Sequence, residues 1–258
     1  MASSTPTTRA RAHSFNTAAA QYAANRPSYP PALLDAIESL AGRPLAGARV
    51  ADIGAGTGIA TALLHARGAR VVAVEPGDGM AEQFRQSLPD IPIVRGDGDH
   101  LPLATASLDF LTYAQSWHWT DPASSVPEAL RVLRPGGALA LWWNTSALDV
   151  PWTAAQADRI ERHFGVDGVA RKNGDASASA LAAPTGRLDF TRRRVRWSRR
   201  VPLGLHLANI SSHSMFLVHD EESTAAFLAE ERGHLLTEFP DGTVEETYVV
   251  ELLVATSS

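Results

Sequence analysis

One stretch constrains this chain more than any other: Asp52-Ile53-Gly54-Ala55-Gly56-Thr57-Gly58, set between a short apolar run, Val50 to Ile53, and a helical recurrence, Ile59 to Ala66. Glycines in a strand-to-helix turn let the chain reverse sharply. They also let ligand atoms approach the backbone where a Cβ would intrude. A dinucleotide-binding loop prefers G-x-G-x-x-G, with its third glycine at position 59, which here is Ile59. The loop therefore suits a ligand without phosphates better than a pyrophosphate resting on the helix N-terminus.

The surrounding pattern predicts an α/β fold. Val71 to Val74, Ile91 to Val94, Leu108 to Ala114 and Ala138 to Trp143 read as further strands. Helices are predicted over Gly79 to Ser87 and over Ala123 to Leu133, the second stopping at Arg134-Pro135-Gly136-Gly137. Strands alternating with helices predict a parallel, Rossmann-like sheet with helices on both faces. Two helical pieces, Phe15 to Asn25 and Pro31 to Leu40, precede it, split by Arg26-Pro27-Ser28-Tyr29-Pro30-Pro31. After it come a polar loop (Lys172 to Ser179), a strand-like run (Leu188 to Trp197), helical stretches (Leu203 to Ile210, Glu221 to Glu231) and a last strand (Glu245 to Val254). The expected organisation is a frayed tail over residues 1–14 and one domain over 15–258. Within it, residues 15–45 form a helical lid, 46–145 a ligand-binding core, and 146–258 a small helical cap with closing strands.

Composition removes several classes of function. The chain has 23 basic and 28 acidic residues and a net charge of −5, which argues against a nucleic-acid backbone as partner. The absence of cysteine excludes a disulfide framework, thiolate metal ligands and a cysteine nucleophile. No apolar run approaches the ~20 residues that span a bilayer. Met1 to Ser14 has no apolar stretch and does not read as a secretory signal, so a cytoplasmic protein without a membrane partner is expected. The nine histidines show no H-E-x-x-H pairing, and no metal site is predicted.

Two acidic segments complete the glycine loop. Glu75 closes the second strand near the ~20-residue spacing at which a carboxylate meets a ribose diol. Gly96-Asp97-Gly98-Asp99 follows the third strand, where a side-chain acceptor beside a backbone N–H can read an adenine edge. With these pieces in order, the chain from Tyr22 to Asn144 resembles class I S-adenosylmethionine-dependent methyltransferases. The matching segments are Val50 to Gly58, Val71 to Pro76, Gly96 to Pro102, Ser107 to Trp119 and the RVLRPGG of Arg131 to Gly137.

The resemblance implies S-adenosylmethionine as cofactor, S-adenosylhomocysteine as product and a small molecule as methyl acceptor, either a carboxylate that needs no base or a secondary metabolite whose phenol, amine or carbon would use one. It implies that Gly54 and Gly56 pass under the aminoacyl and ribose part, with Asp52 bracing the loop. Glu75 would hold the ribose, Asp97 and the Gly98 N–H would face adenine, and Pro76 would pack on its face. Ala114 and Gln115 would lie against the same cofactor. Tyr22-x-x-x-Arg26-Pro27-x-Tyr29-Pro30 resembles the lead-in of the trans-aconitate methyltransferase-like branch, which implies cofactor contact by Tyr22 and Arg26. Arg26 suits the methionine carboxylate through its permanent charge and bidentate fork; otherwise it is a surface arginine before a proline turn. A protein that binds this cofactor without transferring methyl, as a binding module or for another reaction, needs the same loop and remains the alternative.

Candidate acceptor residues lie beyond the fourth and fifth strands, where open parallel sheets bind ligands. Trp117, His118 and Trp119 are candidates for a pocket wall around a catalytic base, or for packing against the next helix. Trp143 and Asn144 are a second candidate wall, and His213 a candidate reaching down from the cap. Arg192, Arg194 and Arg196 would share one face of a strand. They read as a charged edge strand or as an attractor for an anionic substrate.

Overall fold

The computed structural model describes residues 25–165, 188–213, 216 and 219–257. Residues 1–14, Tyr22, the helix expected over Phe15 to Asn25 (but for its last residue) and the Lys172 to Ser179 loop lie outside them. Seven strands form one sheet: β1 (Arg49–Ile53), β2 (Arg70–Glu75), β3 (Ile93–Arg95), β4 (Leu108–Ala114), β5 (Leu133–Ser146), β6 (Thr191–Pro202) and β7 (Thr243–Thr256). Their order is β3-β2-β1-β4-β5-β7-β6. β1 to β5 pair in parallel, whereas β7 runs antiparallel between β5 and β6. The helices are α1 (Pro31–Ala41), α2 (Ile59–Ala66), α3 (Asp78–Ser87), α4 (Pro122–Val132), α5 (Pro151–Phe164), α6 (Leu203–Ser211) and α7 (Glu221–Glu238). Among the described residues no helix is long and apolar enough to cross a membrane.

Local chemistry explains the boundaries. α4 starts where Asp121 accepts a hydrogen bond from the Ala123 N–H and Pro122 supplies a preset φ at the first turn. α5 stops at Gly165, whose φ of +62° a side chain would resist. Three elements depart from the sequence expectation. β5 starts at Leu133 rather than Ala138, because the Arg134–Gly137 segment is absorbed as an irregularity in the pairing with β4. α7 runs through Gly233 to Glu238, packing its buried Phe227 and Leu235 into the cap. α5 has no counterpart in the sequence reading at all.

Strand alternation splits the core. On β5, Ala138, Ala140 and Trp142 pack on the face covered by α1 and α2, with Leu33, Ile37 and Leu64. Leu139, Leu141 and Trp143 pack on the other, with Val126 and Ala129 of α4. A third cluster (Phe164, Leu207, Ile210, Phe227, Leu235, Val244) gives the cap a core of its own. β6 is the sheet edge, and five of its arginines are paired: Arg192 and Arg194 with Glu251, Arg196 with Asp149, Arg199 with Glu246 and Arg200 with Asp241. That is the charged edge strand, not an open anion attractor.

Because β1, β2, β4 and β5 are parallel, their C-terminal ends share one rim of the sheet. The glycine loop, Glu75, Gln115 and Asn144 all emerge there.

Candidate functional site

The three loop glycines do different work. Gly54 has φ +64°, and a Cβ on it would stand 2.6 Å from Ser116 Cβ. Ser116 in turn donates from Oγ to the Ile53 carbonyl at 2.5 Å, tying the loop to the end of β4. A Cβ on Gly58 (φ +93°) would strike Leu88 at 2.5 Å. Only Gly56 faces open space: its φ is +58° and nothing lies within 4 Å of where a Cβ would sit. Gly54 and Gly58 thus close the packing, while Gly56 leaves room for a ligand.

Asp52 is fully buried and accepts hydrogen bonds from Thr61 Oγ1 (2.6 Å) and Thr112 Oγ1 (3.0 Å). Burial pushes its pKa up to about 6 against those two hydroxyl bonds. Enclosed on all sides, it braces the loop and cannot touch a ligand, which corrects its place among the cofactor contacts.

Glu75 is poised differently. Its Oε2 accepts from the Gly56 N–H at 2.8 Å and its Oε1 from the Gly77 N–H at 2.7 Å. Burial raises its pKa, and the two backbone donors oppose that. A carboxylate offers about four lone-pair sites, so each oxygen retains one for a diol. Pro76 beside it is exposed. Asp97 is also exposed, and its Oδ1 accepts from the N–H groups of Asp99 and His100, leaving Oδ2 outward. A Cβ on Gly98 would meet Thr120 at 2.6 Å, so glycine there lets this loop lie against the segment after β4. Open space at Gly56, spare lone pairs on Glu75 and an exposed Pro76 fit a nucleoside with a free ribose diol.

The segment after β4 does not form the expected pocket wall. Trp117, His118 and Trp119 form one 3-10 turn. Trp117 is 2% exposed and packs edge-on against Tyr113 at 4.8 Å, inside the core on the α4 side. Trp143 is buried on the same side and donates from Nε1 to His118 Nδ1 at 3.2 Å. Trp119 stacks at a tilt on His118, 4.6 Å away. The parity of β5 sends Trp142 and Asn144 to the opposite face, so Trp143 cannot share a pocket with them. His118 presents its outer edge to solvent, yet the crowding at its base pulls its pKa down to about 4. Its Nδ1 accepts from Trp143 of the α4-side core, and His118 does not line the cavity that Gln115 and Asn144 share. His118→Ala is expected to leave cofactor affinity and turnover within about two- to threefold, the scale of a substitution outside a site. A hundredfold loss of turnover would reinstate it.

The cavity opens on the other face. Arg26, Tyr29, Ile59, Gln115 and Asn144 line its near side, and Trp152, Gln156, His206, Asn209, His213, Glu246 and Tyr248 its far side. Its volume is about 80 Å3, room for several waters or one compact polar group. Gln115 holds φ +60°, a backbone state costly for a non-glycine; its Nε2 donates to the Asn144 carbonyl at 3.1 Å. Asn144 Oδ1 accepts from Trp197 Nε1 at 3.0 Å. Arg26 Nη1 lies 3.3 Å from His213 Nε2. Since guanidinium only donates, that nitrogen is an acceptor and the imidazole is neutral. Burial, Arg26 and His206 all hold the His213 pKa well below its usual value.

The far wall is a polar network that sequence reading missed. Glu246 Oε1 accepts from His206 Nδ1 at 2.7 Å and from Asn209 Nδ2 at 3.3 Å; Oε2 accepts from Arg199 Nε at 2.5 Å. Burial resists its ionisation, but the hydrogen bonds from His206 and then Arg199, with the Arg199 charge, prevail and hold its pKa below the usual carboxylate range. An ionised Glu246 accepts only, which fixes the Asn209 amide with nitrogen toward Glu246 and Tyr248 and Oδ1 turned away. Asn209 Oδ1 and Thr153 Oγ1, both on lining residues, are buried without a hydrogen-bond partner. A group depressed on folding adds stability above its unfolded pKa and loses it below. Stability is therefore expected to fall as pH drops from about 4.5 toward 2. Thermal melts of Glu246→Gln should lack this share of the decline; identical pH dependence would show that Glu246 is not held ionised.

Among the described residues no group of three or more histidines and carboxylates is arranged to hold a metal. Comparison with known proteins agrees with the geometry. Residues 51–141 match the family model described as a methyltransferase domain. An uncharacterized methyltransferase of Mycobacterium tuberculosis is 38% identical over 185 residues, 72% of this chain and 70% of its own. The structure of a putative type II methyltransferase from Anaeromyxobacter dehalogenans superposes with a TM-score of 0.67 at 23% identity, covering 90% of this chain and 97% of that one. The phosphoethanolamine N-methyltransferase 2 of Haemonchus contortus, solved with phosphomonomethylethanolamine and S-adenosylhomocysteine, gives a TM-score of 0.55 at 13% identity, covering 98% and 60%. On the loop, the sheet order and the relative that shares two-thirds of its length, the chain belongs to the class I S-adenosylmethionine-dependent methyltransferases.

Proposed function

We propose that the protein transfers a methyl group from S-adenosylmethionine to a small molecule held between the sheet rim and the cap. The observation that carries this reading is the position of the cavity. Its near side is the rim where the glycine loop and Gln115 emerge, and its far side is a wall of buried, hydrogen-bonded polar side chains. S-adenosylmethionine, when bound, supplies an electrophilic methyl carbon on a sulfonium. The chain's part is to bind and align. Glu75 accepts from the ribose hydroxyls, Pro76 covers one adenine face, and Asp97 with the Gly98 N–H addresses its edge. Arg26, which lines the cavity, is placed to attract the methionine carboxylate. Holding acceptor and methyl carbon in line within a site closed by α5 and α6 supplies the main rate gain.

The negative net charge and the paired arginines of β6 favour a small-molecule partner over nucleic acid. Calorimetry is expected to show S-adenosylmethionine and S-adenosylhomocysteine binding in the micromolar range, with no binding of NAD. Comparable NAD binding would overturn the step from loop to ligand. Mass spectrometry should detect S-adenosylhomocysteine after incubation with small-molecule pools.

A further inference from the structure

The far wall of the cavity holds an arrangement that cofactor binding does not use. His206, on α6, is 3% exposed and bonded at both ring nitrogens. Its Nδ1 lies 2.7 Å from Glu246 Oε1, and its Nε2 lies 2.9 Å from Gln156 Nε2. Glu246 only accepts, so Nδ1 carries the proton and Nε2 is the free base, covered by an amide N–H. This is the arrangement of an oriented base: a carboxylate fixes the tautomer, and the lone pair of the opposite nitrogen accepts from the Gln156 amide, which an incoming acceptor would have to replace.

Gln156 is itself a lining residue, and its nitrogen also donates to Glu231 Oε1 at 2.9 Å. Its amide N–H occupies the direction from which an acceptor's proton would arrive. We propose, building on the methyl-transfer reading, that His206 is the proton-accepting residue and that the acceptor enters as a neutral molecule bearing an O–H or N–H.

The step balances. The acceptor's X–H bond breaks with its electron pair left on X, and X bonds to the methyl carbon. The C–S pair stays on sulfur, turning the sulfonium into a thioether. The proton goes to His206 Nε2, forming an imidazolium against the Glu246 carboxylate. The groups facing His206 suit this change. Glu246 and Tyr248 approach from β7, and Arg199 from β6 neutralises the far oxygen of Glu246. From α5 come Gln156 and the edge of Trp152, 5.6 Å away. Behind Gln156, Glu231 of α7 is paired with Arg159. His213 and Arg26, in contact with each other, also line the cavity. A carboxylate acceptor brings no proton, and it would face the Glu246 charge and the unpartnered Asn209 Oδ1.

The test uses the full chain with phenol, benzylamine and benzoate as probes. In the presence of S-adenosylhomocysteine, phenol or benzylamine should shift the His206 imidazole NMR signal, assigned by its loss in His206→Gln; benzoate should not. With S-adenosylmethionine, a donor probe should be methylated and S-adenosylhomocysteine released. His206→Gln should cut kcat by about 10²–10⁴-fold with cofactor Kd and far-UV circular dichroism unchanged. The proposal is overturned if benzoate is methylated or shifts His206, if His206→Gln keeps its rate, or if no donor probe binds. It is equally overturned if donor probes bind at His206 without transfer. Failure of wild-type protein to bind S-adenosylmethionine at all would instead sink the methyl-transfer reading beneath it.

Discussion

Gly54→Ala is expected to destabilise the protein by about 2–5 kcal/mol and to remove cofactor binding in whatever fraction still folds. Two costs combine. A left-handed backbone costs a residue with a Cβ about 1–2 kcal/mol, and Gly54 holds φ +64°. Overpacking adds about 1–3 kcal/mol, because the new methyl would lie 2.6 Å from Ser116 Cβ, which is itself tied to the Ile53 carbonyl. Denaturant melts measure the sum, and the Gly54→Ala, Ser116→Gly double variant separates it. Relief of the clash should return the packing part and leave the backbone part. A single variant with wild-type stability would mean that the loop is free to adopt another path.

Glu75→Ala should weaken S-adenosylmethionine binding by about 1.5–3 kcal/mol, the range for a charged hydrogen-bonding group. That corresponds to roughly 10- to 150-fold in Kd. The melting temperature of the free protein should not fall in step. Burial already raises the Glu75 pKa, so its removal relieves a desolvated charge, and the Gly56 and Gly77 N–H groups it frees are only partly buried. Affinity lost with stability kept marks a ligand contact. An unchanged Kd in the folded variant would take Glu75 out of the site.

The half of the site built from local signals was legible in the sequence. The glycine loop, Glu75 at a strand end and the Gly96 to Asp99 turn are each contiguous, and the parallel sheet brings their ends to one rim by topology alone. The acceptor side was not legible, because its members are dispersed. Gln156, His206, Asn209 and Glu246 sit on α5, α6 and β7, and only the tertiary fold makes them neighbours. Conversely, Trp117-His118-Trp119 looked like a pocket wall because aromatics near a strand end are common to pockets and cores. What decides is the face on which they land, and Tyr113 with Trp143 takes them to the α4 side. Trp143 was paired with Asn144 by adjacency, although neighbours on a strand point to opposite faces. The helical stretch expected over Glu221 to Glu231 ended short of α7, which burial of Leu235 carries on to Glu238.

The sheet order has a consequence for how the chain acquires its activity during synthesis. β7 is the last strand to leave the ribosome and yet belongs inside the sheet, between β5 and β6. Until it arrives, a nascent chain holding the glycine loop and Glu75 still exposes the open edge of β5, along which β7 later pairs from Ala138 to Ser146. Such an unpaired apolar edge is a site for mispairing with other nascent chains. β6 must also wait on the far side of the gap, since its ladder is made with β7. Glu246 lies on this same strand, so the wall facing the acceptor is completed only as the sheet closes. A translating chain therefore passes through a stage with a formed donor-side loop and no enclosed reaction chamber.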